Sequence, residues 1–166
     1  MNAEKKNPQT ELKRLLSGSG LKLSAAESCT GGQISHIITT VAGASEYYLG
    51  SVTSYAAEIK EKILGVKRET IEREGLVSEA VAKAMAQGVR LLCGSDFSVS
   101  TTGLAGPGDD ERGNPEGTVW IGLSSRQKTV AFKRYFSLGR EQNIEKFAEE
   151  ALNLLTEFIK KEIDLK

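Results

Sequence analysis

Cysteine, histidine and net charge are all scarce in this 166-residue chain. Two cysteines, Cys29 and Cys93, cannot build a disulfide framework. With them, the single histidine, His36, makes too small a set for a His/Cys metal site, although carboxylate sites stay open. Lys plus Arg and Asp plus Glu both count 22. The net charge is therefore zero, and no overall field draws the chain to nucleic acid or to a membrane surface. No apolar run approaches the ~20 residues of a membrane span. The segment Asn2 to Asn7 is polar and charged, so no signal peptide is expected. These absences leave a chain of single-domain size whose expected compartment is the cytoplasm.

What is present is concentrated in Ala26-Glu27-Ser28-Cys29-Thr30-Gly31-Gly32. This run joins an alternating segment (Leu21, Leu23, Ala25) to an amphipathic one (Ile34, Ile37, Ile38, Val41). The first pattern predicts a half-buried strand and the second one face of a helix. Small hydroxyl residues and two glycines thus occupy a strand-to-helix turn. Backbone N–H groups at such a turn favour negative charge. A serine there either binds an anion passively or attacks a carbonyl whose oxyanion those N–H groups then hold. A thiol at a helix N-terminus has a depressed pKa, so Cys29 competes with Ser28 as nucleophile, and spacing does not choose between them.

Along the chain, Thr10 is a candidate cap for a short helix carrying Leu12, Leu15 and Leu16. A strand is expected from Tyr48 to Ser54, a helix from Ala56 to Leu64 and a short helix near Thr70 to Arg73. Ser78 is placed to cap a long helix through Val81, Met85, Val89 and Leu92. Phe97, Val99 and Thr101 alternate as a strand, and a glycine-rich loop spans Gly103 to Gly117. Val119, Ile121 and Leu123, then Val130 and Phe132, form a hairpin pattern. A last helix carries Ile144, Phe147, Ala151, Leu155, Phe158 and Ile159. Helices and strands alternate early and a hairpin comes late, which predicts an α/β layered domain with a mixed sheet.

Lys60 falls within the apolar face of its helix, among Ala56, Ile59, Ile63 and Leu64, rather than opposite it. Such a lysine either snorkels past the apolar surface or loses hydration. The second case lowers its pKa and makes it a general base. A nucleophilic serine needs a base. His36 projects away from the buried face and lies about two helical turns beyond the serine turn, which leaves Lys60 as the best partner for Ser28. Tyr55, just before this helix, is either aromatic packing with a solvated tip or a hydroxyl reaching the same pocket. Thr101 to Gly108 follows a strand, where open α/β sheets carry ligands. Its glycines permit close backbone approach, Thr102 offers a hydroxyl, and the alternative is a plain surface turn. Asp109, Asp110 and Glu111 read as a solvated acidic loop rather than a metal site. Arg140 opens the last helix, where a cation is poorly placed for the dipole. It is either simply exposed or positioned to grip a phosphate.

Together these residues resemble the CinA C-terminal domain family, the nicotinamide-nucleotide amidases. The resemblance rests on Ala26 to Gly32, on Val52-Thr53-Ser54-Tyr55 with Lys60 before Leu64-Gly65-Val66, and on Val77-Ser78-Glu79. It extends to Thr102-Gly103-Leu104-Ala105-Gly106-Pro107, Pro115-Glu116-Gly117-Thr118-Val119-Trp120 and Phe136-Ser137-Leu138-Gly139-Arg140. It runs from about Leu12 to Ile159 and is to the stand-alone form of the family. The resemblance implies a single-domain three-layer α/β/α sandwich with a mixed, mostly parallel sheet over residues 10–164, after a flexible tail at 1–9. It implies hydrolysis of nicotinamide mononucleotide to nicotinate mononucleotide and ammonia, a step of pyridine nucleotide salvage. Ser28 matches the nucleophile, Lys60 the base and Tyr55 the partner that shuttles or positions the proton. Thr30, Gly31, Gly32, Thr102, Gly103, Ala105, Gly106 and Arg140 are expected to bind substrate, Arg140 through its phosphate. No metal or cofactor and no nucleic-acid or membrane partner is implied, whereas self-association is.

The chain also departs from the family pattern. Ala56 and Ala57 replace the usual Ser-Asn after the tyrosine. Asn114-Pro115-Glu116 replaces Lys-Pro-Val, and Glu116 would set a negative charge beside an anionic substrate if it pointed inward. The alternative function is a non-catalytic nucleotide-binding or regulatory module, with an esterase or peptidase on the same Ser-Lys pair as a third.

Overall fold

A five-stranded sheet in the order β2-β1-β3-β4-β5 organises the chain, seen in a computed structural model that describes residues 7–164. The strands are β1 (Leu23–Glu27), β2 (Tyr48–Thr53), β3 (Phe97–Gly103), β4 (Thr118–Ser125) and β5 (Thr129–Tyr135). β1 pairs parallel with both β2 and β3, and β4 pairs antiparallel with both β3 and β5. Four strands therefore point one way and β4 alone is reversed; helical crossovers link the parallel strands, whereas the short connection from β4 to β5 can only return antiparallel. The helices are α1 (Pro8–Leu16), α2 (Gln33–Thr39), α3 (Ala57–Leu64), α4 (Arg68–Glu74), α5 (Glu79–Cys93) and α6 (Arg140–Asp164). α1 and α2 pack on α6 over one sheet face, while α3 and α4 pack on α5 over the other, giving three layers. No helix among the described residues is long and apolar enough to cross a membrane.

The two faces of the sheet are built differently. On the α6 side, Leu23, Ala25, Phe97, Val99, Val119, Ile121 and Leu123 meet Leu12, Ile34, Ile38, Phe147, Leu152 and Leu155 in the main core. Each large side chain buried there contributes about 1.5–3 kcal/mol of transfer free energy. On the α5 side the sheet is small and polar. The hydroxyls of Ser98 and Ser100 donate to the carbonyls of Ala86 and Ala82 at 2.5 and 2.6 Å, and a Cβ at Gly122 would stand 2.3 Å from the Ala82 oxygen. Small strand residues let α5 lie almost against the sheet backbone. This explains why β1 is buried at every position rather than on alternate residues. The half-buried strand expected from Leu21, Leu23 and Ala25 is a central strand whose second face, Ser24 and Ala26, is covered by α5.

Element boundaries differ at two functional points. Asn7, not Thr10, caps α1, its Oδ1 accepting the Gln9 N–H at 3.1 Å with Pro8 at the first helical position. Residues 8 and 9 thus belong to the domain instead of the expected tail, and residues 1–6 lie outside the described ones. On α3 the buried stripe is Lys60 and Leu64, while Ala56 and Ile63 are exposed. The helix has only two turns and crosses α5 at Gly88, where a Cβ would stand 2.0 Å from the Leu64 carbonyl oxygen. That crossing turns the 60/64 stripe inward and leaves Ile63 in solvent.

Candidate active site

Ser28, Ser54 and Tyr55, and Thr102 and Gly103 stand at the carboxyl ends of three adjacent parallel strands, β1, β2 and β3, where open α/β sheets hold ligands. A cleft of about 530 Å³ opens there. Ser28, Cys29 and Lys60 lie on its floor, Thr102 to Gly108 form one wall, and Ile71, Leu76 and Val77 form the other; Tyr55 and Arg140 stand at the rim.

Lys60 Nζ stands 2.8 Å from Ser28 Oγ, 2.5 Å from the Ser54 carbonyl oxygen and 3.3 Å from that of Tyr55. The side chain is 1% exposed. An ammonium donates one N–H to each of these three oxygens. A neutral amine has two N–H groups for the carbonyls and one lone pair, which the same geometry aims at the Ser28 hydroxyl. Burial pulls the Lys60 pKa down to about 8, partly offset by the neighbouring Cys29 sulfur. About one amine in ten is then neutral at pH 7. Cys29, by contrast, sits in the main core, and burial pushes its thiol up to about 12. The depressed pKa expected of a thiol at this turn is absent because burial outweighs the Thr101 hydrogen bond and the Lys60 charge, which act the other way. His36 is exposed on α2 and lies outside the cleft lining.

The Ser28 turn is held from the opposite side of the sheet by Glu27. Its fully buried carboxylate accepts the N–H groups of Ile34 and Ser35 at 2.8 and 3.0 Å and the Thr30 hydroxyl at 2.7 Å. Thr30 also meets Thr101 Oγ1 at 2.8 Å, and the Thr101 carbonyl accepts the Ser28 N–H at 3.1 Å. The N-terminus of α2 is thereby filled by the protein's own carboxylate. The Gly31 N–H is turned back onto the Ser28 carbonyl. Thr30, Gly31 and Gly32 do not line the cleft. In the fold they shape the turn, Gly31 and Gly32 adopting φ of 56° and 106°.

Thr102, Gly103, Ala105, Gly106 and Arg140 do line the cleft with Ser28, Tyr55 and Lys60. The Thr102 hydroxyl donates to the Leu76 carbonyl at 2.8 Å and ties the two walls together. Arg140 donates to the Gly106 carbonyl and, at 3.2 Å, to the Tyr55 hydroxyl. Tyr55 meets Lys60 through its backbone carbonyl, while its phenol, exposed at the rim, belongs to Arg140. Its expected hydroxyl contact with the serine–lysine pair is thus replaced by one at the cleft mouth, because the chain turns into α3 at Ala56. Glu116 does not point inward: it lies behind the wall, accepting the Gly108 N–H at 3.3 Å.

Several contributors carried no signal in the sequence. The Ser54 and Tyr55 carbonyls are such a case, since every residue has one. Arg112 donates to the carbonyls of Glu72 and Arg73 at the end of α4 and closes the far side of the cleft. The Asp110 carboxylate accepts from Arg112 N, Asn114 N and Asn114 Nδ2 and so folds its own loop.

The profile of the CinA C-terminal domain family matches residues 5–159. A CinA-like protein of Salinibacter ruber is 47% identical over 130 residues, 78% of this chain and 32% of that protein. A CinA-like protein of Cytophaga hutchinsonii is 42% identical over 147 residues, 89% of this chain and 35% of that one. The chain spans about a third of the length of these relatives. Among solved structures, the competence damage-inducible protein A of Klebsiella pneumoniae superposes with a TM-score of 0.88 at 33% identity, covering 90% of this chain and 93% of that one. A CinA superfamily protein of Escherichia coli does so with a TM-score of 0.87 at 31% identity, covering 90% and 88%.

Proposed function

Starting from the fact that the chain belongs to the CinA C-terminal domain family, we propose that it is an amidohydrolase that converts nicotinamide mononucleotide to nicotinate mononucleotide and ammonia. The observation that carries this reading is the buried Lys60 amine 2.8 Å from the Ser28 hydroxyl.

In the proposed reaction, neutral Lys60 takes the Ser28 proton as Oγ attacks the carboxamide carbon. The Ser54 and Tyr55 carbonyls hold the resulting ammonium. The Cys29 N–H, directly after the nucleophile, is the candidate donor to the oxyanion, and one such donor is worth about 3–4 kcal/mol. Lys60 then returns its proton to the leaving nitrogen, the C–N bond breaks and ammonia departs. A water, deprotonated by Lys60, attacks the acyl-serine. The C–O bond to Ser28 breaks and Oγ recovers its proton. Water and carboxamide have then become carboxylate and ammonium at neutral pH, and these steps use neither metal nor cofactor. Arg140 at the rim is assigned to the phosphate. The reading places the reaction in the cytoplasm, in a self-associating protein without nucleic-acid or membrane partners.

The test is ammonia release from nicotinamide mononucleotide by the purified protein. Ser28→Ala and Lys60→Met are each expected to lower kcat by about a thousandfold or more while remaining folded. Full activity in both variants overturns the mechanism. Calorimetric binding of the nucleotide without turnover favours the regulatory module instead.

A further inference from the structure

The first turn of α6 carries a fully buried amide that the proposed chemistry leaves unused. Asn143 is 0% exposed. Its Nδ2 donates to the Ala105 carbonyl at 3.0 Å, and its Oδ1 accepts the Leu138 N–H at 3.2 Å. Its own backbone N–H donates to the Gly139 carbonyl at 2.8 Å. One side chain therefore joins the cleft wall to the turn that launches α6. Both ends of the amide are used, and no other side chain of this size supplies a donor and an acceptor in that orientation.

The wall residue after Ala105 is Gly106, whose carbonyl accepts from Arg140. Ala105 and Gly106 are thus both fastened to the same helical turn, one through the buried amide and the other through the exposed guanidinium. From behind, Glu116 completes the brace. Its Oε2 takes the Gly108 N–H, and its Oε1 occupies the space where a Cβ at Gly106 would stand, 2.0 Å away. The position of the Gly106 carbonyl, and with it the aim of Arg140 toward Tyr55, depends on what holds Ala105.

We propose that Asn143 is a positioning residue for recognition of the substrate's anionic group, acting through the Ala105–Gly106 wall to fix the Arg140 guanidinium at the cleft rim. The inference rests on the reading that Arg140 meets a phosphate. Asn143 touches no substrate and no reacting atom. Loss of its donor lets the wall shift and Arg140 lose its aim, while the serine–lysine pair, held by β1, β2 and α3, stays in place.

The experiment compares two probes, nicotinamide mononucleotide and nicotinamide riboside, which differ only by the phosphate. Asn143→Asp keeps the shape and replaces the Nδ2 donor by an acceptor facing the Ala105 carbonyl. It is expected to raise KM for the nucleotide about tenfold, the scale of one charge-assisted hydrogen bond. The expected change in kcat is under about threefold, and so is the loss of kcat/KM on the riboside. In an Arg140→Ala background the same substitution adds little, since the two act as one unit. An equal loss on both probes, or full additivity with Arg140→Ala, overturns the proposal. If Asn143→Asp melts below the assay temperature, Asn143→Ser, which keeps a donor but shortens its reach, is read in the same way. Calorimetric affinities for both probes are measured alongside. If the wild type binds the nucleotide but releases no ammonia, the amidase reading fails, while the nucleotide-to-riboside affinity ratio still decides the role of Asn143.

Discussion

Lys60 meets Ser28 across the carboxyl ends of two neighbouring parallel strands, with Nζ 2.8 Å from Oγ and the amine fixed by the carbonyls of Ser54 and Tyr55. The backbone that ends β2 thereby orients the lone pair of a base carried by α3. A carbonyl pair does this without adding a charge, so the amine keeps the lowered pKa that burial imposes.

Activity is expected to follow the titration of this amine. Lys60 acts as a base only when neutral, so kcat/KM should rise about tenfold per pH unit below its pKa and level off above about 8. Lys60→Arg keeps a cation at every accessible pH and should be inactive across the range. A pH–rate profile of ammonia release checks both outcomes. A flat profile from pH 6 to 9 would show that another group is the base.

The same amine costs stability. Its pKa of about 8 in the fold lies below the ordinary 10.5, so the unfolded chain binds more protons between those values. Stability contributed by the neutral amine is full above 10.5, falls as pH drops through this window, and stays low at pH 7. The drop is worth roughly 3 kcal/mol. Lys60→Met removes it but leaves the Ser54 and Tyr55 carbonyls unpaired, at about 1 kcal/mol each. The expected balance is a gain of about 1 kcal/mol, a Tm rise of about 2–4 °C, in a variant without activity. Thermal unfolding at pH 7 and at pH 10 measures it, and the gain should shrink at the higher pH.

Cys29 should be chemically quiet. Its buried thiol, pushed up to about 12, stays protonated, so alkylating reagents should modify the half-buried Cys93 first. Cys29→Ala is expected to cost no more than about tenfold in kcat, against about a thousandfold for Ser28→Ala. Mass spectrometry of partially labelled protein and the two rate constants settle which neighbour is the nucleophile.

Glu27 should matter to stability more than its solvent-free position suggests. Glu27→Ala leaves the Ile34 and Ser35 N–H groups and the Thr30 hydroxyl without their acceptor, at a cost of roughly 2–4 kcal/mol. Glu27→Gln keeps one acceptor oxygen and should cost about half as much. Urea denaturation with an unchanged m-value tests the pair.

Ala56 caps α3 with extended backbone (φ −82°, ψ 147°) and no side-chain bond. Ala56→Ser supplies the missing acceptor and should stabilise the fold by about 1 kcal/mol, read as a Tm increase at unchanged kcat. A decrease in Tm would mean that the helix start is already satisfied by its surroundings.

What the chain dictated by itself was local. Alternation and helical period marked the strands and long helices, and the glycines and hydroxyls after Glu27 marked a turn where chemistry is possible. The misfit of Lys60 on an apolar face singled it out before any contact was visible. Tertiary packing decided the rest. Which face of α3 turns inward depends on the crossing with α5 at Gly88, a distant residue. Ser28 and Cys29 both line the cleft, but Lys60 stands against Ser28 while burial in the main core keeps the Cys29 thiol protonated. The turn at Thr30, Gly31 and Gly32 is held by Glu27, whose carboxylate fills the helix start. These outcomes rest on backbone carbonyls, buried carboxylates and close approaches between elements far apart in the chain. Residue spacing encodes direction along one element, but it holds no information on the distance between two.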